Sequence, residues 1–182
     1  MGYWNSRGLR GSALETLINY TNDFYRQKNL AIIQKIPTPI TPVEVDNEKH
    51  IIQKAYFDAQ STVDYIGMAQ GLGLCFDAKE TAQTHLPLQN IHAHQVDFMD
   101  RILLQGGISF LLVHFSLLGK YYFLPFDVLK THWEAAKNGG RKSIPMAAFE
   151  EKFEIMQERN GILNYLKAIN TFLLEQKKGQ NP

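Results

Sequence analysis

The stretch that decides the fold runs Ser61-Thr-Val-Asp64-Tyr-Ile-Gly67-Met-Ala-Gln70-Gly71-Leu-Gly73-Leu-Cys75-Phe-Asp77-Ala-Lys79-Glu80. Ser61 to Ile66 and Gly73 to Glu80 read as two strands joined by a glycine-bearing turn, Gly67 to Gly71. Strand alternation puts Asp77 and Lys79, two residues apart, on one face. If the hairpin is centred on Gln70-Gly71, Asp64 falls opposite Asp77. Like charges so placed repel unless a cation lies between them.

Elements follow on both sides. A helix starts near Ser12, where Ser12 and Glu15 have capping-box spacing, carries Leu14, Ile18 and Tyr25 as its apolar stripe, and ends between Arg26 and Asn29. Leu30 to Ile36 reads as a strand. Pro37, Pro39 and Pro42 do not belong in a central strand, so Pro37 to about Gln60 reads as a projecting arm inserted in the domain. Downstream, Gln89 to Leu104 has helical periodicity and stops at Gly106-Gly107. Ile108 to Phe115 and Tyr121 to Phe126 form two strands that turn at Leu118-Gly119. Asp127 to Lys137 reads as a short helix, Asn138 to Ser143 as a basic loop, and the remainder as mostly helical, with Ile162, Leu163, Leu166, Ile169 and Leu173 on its apolar face. These elements imply one α/β domain over 1–182, with a central mixed sheet flanked by helices.

The 182 residues suffice for one sizeable core, and 45% hydrophobic with 20% charged residues is ordinary for a soluble domain. A formal charge of +1, from 19 basic and 18 acidic residues, neither demands nor excludes nucleic acid. The one cysteine, Cys75, rules out an intramolecular disulfide and a cysteine-rich zinc site. It reads as a small buried hydrophobe. No stretch has the length of a bilayer span and the start of the chain lacks a secretory apolar run, so a cytoplasmic, membrane-free protein is expected.

A carboxylate beside an ammonium suits phosphodiester cleavage. The carboxylates hold a hard divalent cation, and the lysine meets charge that builds on the phosphate. Spacing alone leaves a surface ion pair open. His92 and His94, two apart on a helix, point apart and make a poor zinc site. Arg7, Arg10, Arg141 and Lys142 are candidate phosphate contacts. Tyr121, Tyr122, Phe123 and Trp133 read as core or interface rather than base-stacking platforms.

Ser61-Thr-Val-Asp64-Tyr-Ile-Gly67 followed by Phe76-Asp77-Ala-Lys79-Glu80-Thr81 resembles the core of the RecU-type Holliday junction resolvases, of the PD-(D/E)xK nuclease superfamily. Asn5-Ser-Arg7-Gly8, Leu14-Glu15, Pro37-Thr-Pro39, Lys54-Ala-Tyr-Phe57, Pro87-Leu-Gln-Asn90, His94-Gln95 and Gly140-Arg-Lys-Ser-Ile144 resemble further family segments in the same order. The resemblance implies a restriction-endonuclease-like fold and a homodimer that makes paired nicks in four-way DNA junctions with Mg²⁺, for which Mn²⁺ can substitute. It implies Thr62, Asp64, Asp77 and Gln95 as metal-site residues and Lys79 as transition-state stabiliser. Glu15 is a possible additional acid. The arm over 37–60 becomes a stalk entering the junction centre. A recombinase or branch-migration helicase is an implied partner, and the nucleoid the implied place of action.

Asp77 stands where the family usually has glutamate, Cys75 where an acidic residue is common, and Val63 where threonine is common. Two alternatives follow. One is a catalytically weakened junction-binding protein that modulates a recombinase. The other is a restriction- or repair-type nuclease cutting linear duplex, which has no use for a stalk.

Overall fold

The structure is a computed structural model that describes residues 13–57 and 62–180. Ser12, Arg7 and Arg10 lie outside the described residues, as does Ser61.

Helix α1 (Ala13–Gln27) buries Leu14, Ile18 and Tyr25, the expected stripe. Strand β1 (Ala31–Lys35) follows, then β2 (Ile40–Asp46), β3 (Ile51–Phe57), β4 (Tyr65–Ala69), β5 (Leu72–Thr81) and β6 (His85–Pro87). Helix α2 (Ala93–Leu104) leads into β7 (Ile108–Phe115) and β8 (Lys120–Pro125), and α3 (Phe126–Lys137) into β9 (Ser143–Pro145), β10 (Glu154–Ile155) and α4 (Tyr165–Gln180). The main sheet has six strands in the order β1-β4-β5-β7-β8-β10, and only β5 and β7 run parallel. It is the expected mixed sheet.

Two apolar layers cover its faces. On one, α1 and α4 pack through Leu14, Ile18, Tyr25, Tyr165 and Ile169 against Tyr65, Phe76, Phe110 and Phe123. On the other, α2 and α3 pack through Val96, Met99, Phe126 and Leu129 against Cys75, Leu111, Val113 and Leu124. Period-two alternation sends neighbours to opposite layers: Phe76 joins the first, Cys75 the second.

The hairpin of β4 and β5 pairs Tyr65 with Phe76 and Ala69 with Leu72, so the turn is Gln70-Gly71 alone. Both turn residues have positive φ, 50° and 84°, as a two-residue hairpin turn of matching twist requires. Gly67 therefore lies inside β4, not in a turn. Its reason is close approach: a Cβ there would sit 2.1 Å from the Ile32 carbonyl oxygen on β1.

Three other expectations change. Helix α2 starts at Ala93, after a short 3₁₀ turn over Leu88–Asn90, rather than at Gln89. The basic segment ends in β9, which pairs with β6. The C-terminal part is less helical than its apolar pattern implies. Two 3₁₀ turns and β10 come first, and Ile162 and Leu163 are buried ahead of α4.

Strands β2 and β3 make their own two-stranded sheet, with two register shifts near Glu44, and neither pairs with the main sheet. Nearly every side chain in it is exposed, including Val45, Ile51, Tyr56 and Phe57. Within the excursion expected at 37–60, residues 40–57 thus form a β-hairpin. Such a pair is marginal alone in water.

Candidate active site

Asp64 stands one residue beyond the last paired position of β4. Its carbonyl accepts the Ile36 N–H at 2.8 Å, which ties this point to the end of β1. Here the ladder gives way to side chains. The Asp64 N–H donates to Asp77 Oδ1 at 2.9 Å, and the Ala78 N–H donates to Asp64 Oδ2 at 2.9 Å. Each carboxylate thus takes a backbone N–H from the opposite strand, and the two are clamped side by side.

Asp77 is 0% exposed. A buried carboxylate needs all the donors it can reach. Gln95 supplies one: its Nε2 donates to Asp77 Oδ2 at 2.9 Å, while its Oε1 accepts the His92 N–H at 3.0 Å. That second bond fixes which end of the amide faces Asp77. Lys79 supplies the other, with its ammonium against Asp77 Oδ2 and its side chain 14% exposed. Burial first, then the neighbouring Asp77 carboxylate, raises the Asp64 pKa to about 7; the Ala78 N–H and Lys79 oppose the shift.

Asp64, Asp77, Lys79 and Gln95 therefore converge. Thr62, half-buried, precedes Asp64 by two residues. Glu15 lies in the first turn of α1, where its Oε2 accepts from Lys35 Nζ at 2.8 Å. The carboxylates of Glu15, Asp64 and Asp77 all raise the pKa of the buried Tyr65, after burial itself, so Glu15 is within electrostatic range of the surroundings of the pair. Arg141 and Lys142 are exposed, well along the chain but tied back: the Lys142 carbonyl accepts the Leu88 N–H at 3.1 Å, and Arg141 Nε donates to Ser143 Oγ at 2.8 Å.

Among the described residues, no group of three or more histidine, cysteine or acidic side chains could hold a metal ion. Two adjacent carboxylates fit Mg²⁺ nonetheless, because that ion keeps much of its shell for water and phosphate oxygens. The raised Asp64 pKa has the same implication. Two carboxylates this close disfavour each other's charge, and a divalent cation between them would relieve that conflict. The histidine pair does not enlarge the site. His92 precedes α2 in extended backbone, so its ring stacks on His94 at 5.5 Å instead of pointing away as the helical reading expects. Sequence reading missed the part His92 plays through its backbone. The signal was present, since a glutamine three residues after a helix boundary has capping spacing.

A family model described as "Recombination protein U" matches residues 9–171. The chain belongs to the RecU family. The resemblance drawn from the Asp64 and Asp77 segments is thereby borne out. A protein of Latilactobacillus sakei named Holliday junction resolvase RecU is 41% identical over 177 residues, covering 94% of this chain and 84% of that relative. A protein of Limosilactobacillus fermentum with the same name is 40% identical over 181 residues, covering 96% of this chain and 86% of the relative. Among solved structures, the Hjc Holliday junction resolvase of Archaeoglobus fulgidus aligns at TM-score 0.46 and 11% identity, over 87% of this chain and 99% of that one. So loose a superposition adds nothing to the sequence match. Within this RecU chain, the mixed sheet itself carries the fold reading, and its β4–β5 hairpin carries the site.

Proposed function

We propose that this chain is a Holliday junction resolvase: a Mg²⁺-dependent endodeoxyribonuclease that makes paired nicks in four-way DNA junctions as a homodimer. The observation that carries the reading is the clamped Asp64–Asp77 pair with Lys79 against it, in a chain about two-fifths identical to relatives named as such resolvases. Linear duplex cutters can use the same chemistry, and the exposed hairpin of β2 and β3 favours the branched substrate.

Asp64 and Asp77 would hold the ion in this reading, with Thr62 beside them, whereas Gln95, expected among the metal-site residues, spends its amide on Asp77 and the His92 N–H instead. When bound there, a divalent cation such as Mg²⁺ would polarise the scissile phosphate and lower the pKa of a bound water. Gln95 keeps the Asp77 carboxylate aimed, and the Asp64 N–H does the same from the other side. Lys79 offers its ammonium to the negative charge that builds on the phosphate. Glu15 is an additional acid at the margin. Arg7, Arg10, Arg141 and Lys142 bind phosphates, so affinity falls steeply with salt. A two-fold junction requires two sites related by a matching axis, which is why the acting form is a dimer. A recombinase or branch-migration helicase is the proposed protein partner, and the nucleoid in the cytoplasm the place of action. Among the described residues no helix is long and apolar enough to cross a membrane.

The deciding experiment sets a synthetic mobile four-way junction beside linear duplex, with Mg²⁺ or with EDTA. Symmetric nicks on the junction in Mg²⁺ alone support the reading. Tight junction binding with no cleavage at any metal concentration would sink it and leave a binding protein.

Two further outcomes are expected. Gln95→Ala lowers the cleavage rate about 10- to 100-fold, as loss of a partner orienting a metal-site carboxylate does. A Gln95→Glu variant fares no better, because a second acid then faces Asp77. Replacing residues 41–56 with a short Gly-Ser turn weakens junction binding about tenfold and leaves the thermal midpoint nearly unchanged, since β2 and β3 pair only with each other. Equal junction affinity after that replacement would remove the stalk from recognition.

A further inference from the structure

The parallel pair β5 and β7 gives the sheet a direction, and the carboxylate pair sits toward the end where β5 finishes. Strand β8 runs back antiparallel to β7, so α3 starts near the other end. Phe126 and Asp127, at its first turn, indeed line a cleft with Leu72 and Ile108, where β5 and β7 begin. The last turns of α3 therefore return to the end that carries Asp77, Lys79 and the start of α2. A groove of about 300 Å³ opens there, lined by Leu88, Gln89, Trp133, Ala136, Lys137 and Lys142. Leu88 opens the 3₁₀ turn that leads into α2 and Gln95, and its N–H is bonded to the Lys142 carbonyl.

The lining has two chemistries. Leu88, Ala136 and the half-buried indole of Trp133 make an apolar floor. The rim is cationic. Lys137 Nζ lies 5.8 Å from the Trp133 ring centre and is paired with Glu134 at 3.0 Å. Lys142 has no acidic partner among the described residues. Arg141 is exposed next to it. An aromatic plane with an unneutralised cation at its edge is how proteins hold single-stranded nucleic acid: the base stacks and the phosphate meets the charge. The volume is at the small end of ligand pockets and is enough for one base.

We propose that this groove binds one unstacked base of the DNA substrate on Trp133, with the adjoining phosphate on Lys142. This rests on DNA being the substrate of the site. It gives Trp133, which the sequence pattern assigns to core or interface, a contact with DNA. It also explains why the basic segment is tied to the turn before α2. A base freed at a branch point is thereby held on the same end of the sheet as the carboxylate pair. Intact duplex, with its bases stacked, cannot fill the groove.

Trp133 reports on its own occupancy, since the chain has two tryptophans and Trp4→Phe leaves it as the only one. That variant is titrated with an eight-residue oligothymidylate in EDTA, so that nothing is cut. Saturable quenching of Trp133 emission is expected. Lys142→Glu and Trp133→Ala should each weaken oligonucleotide binding about tenfold, and Trp133→Phe less than about threefold. The phenylalanine variant keeps an aromatic floor and guards against a merely unfolded protein. No quenching, with unchanged oligonucleotide affinity in Lys142→Glu and Trp133→Phe, overturns the inference. If junction cleavage persists in that case, the resolvase reading stands without it. A junction neither bound nor cut by the unaltered chain overturns both. Quenching by an acidic apolar peptide but not by the oligonucleotide overturns the inference in favour of a protein partner.

Discussion

Lys79→Ala is expected to slow cleavage of a four-way junction by about 10²- to 10³-fold, the cost of removing one preorganised charge-stabilising donor. Junction affinity in EDTA should change less than about threefold, because the proposed phosphate contacts lie elsewhere. The ammonium now rests against Asp77 Oδ2. Its loss leaves a fully buried carboxylate with two donors, the Asp64 N–H and the Gln95 amide. Some stability goes with it, on the order of 1–3 kcal/mol, so folding is checked by thermal midpoint before rates are compared. Asp77→Asn separates the two effects. It has the same size and no charge, and it turns one acceptor into a donor among donors. Its rate should fall at least as far as that of Lys79→Ala, and the double variant should lose much less than the product of the two if both groups act on one phosphate, as proposed. A Lys79→Ala protein that folds, binds the junction and cuts within tenfold of the unaltered rate would take the lysine out of the reaction.

The hairpin that carries these residues was legible because its register is local. A two-residue turn at Gln70-Gly71 leaves only one pairing, and that pairing sets Asp64 against Asp77. Alternation then puts Lys79 with Asp77 and sends Phe76 to the other layer. What was not legible depends on contacts between distant segments. Glycine usually marks a turn, but Gly67 owes its place to the Ile32 carbonyl on β1. Gln95 reads from sequence as a helix-surface amide, and its aim at Asp77 exists only once α2 lies against β5. The histidines were placed on one helix, but the helix begins one residue after His92. Trp133 meets Leu88 and Lys142 across segments that no window of sequence joins.

Proximity of the two carboxylates has a consequence for stability. Burial and the neighbouring Asp77 push the Asp64 pKa up to about 7, from 3.8 for a free side chain. The folded state binds this proton more tightly, so the contribution of Asp64 is fully present below about pH 4. It is lost as pH rises through about 7, and it amounts to a few kcal/mol. Asp64→Asn in EDTA is therefore expected to match the unaltered protein near pH 4 and exceed it near pH 8 by about 5 °C in thermal midpoint. Mg²⁺ reverses the order. The ion displaces the proton, so its affinity should be about 30-fold lower near pH 5.5 than near pH 8. Stabilisation by a fixed Mg²⁺ concentration grows with pH accordingly and levels off above 7. In Asp64→Asn that stabilisation should be small at every pH. Calorimetric scans with Mg²⁺ and with EDTA across this range measure both effects without any cleavage assay. If the gain from Mg²⁺ is the same at pH 5.5 and pH 8, Asp64 does not titrate in this window, and an equal gain in Asp64→Asn would mean that Asp64 does not hold the ion. A gain that follows pH and vanishes in Asp64→Asn means that the clamp of two backbone N–H groups builds a strained acid pair that the cation relaxes.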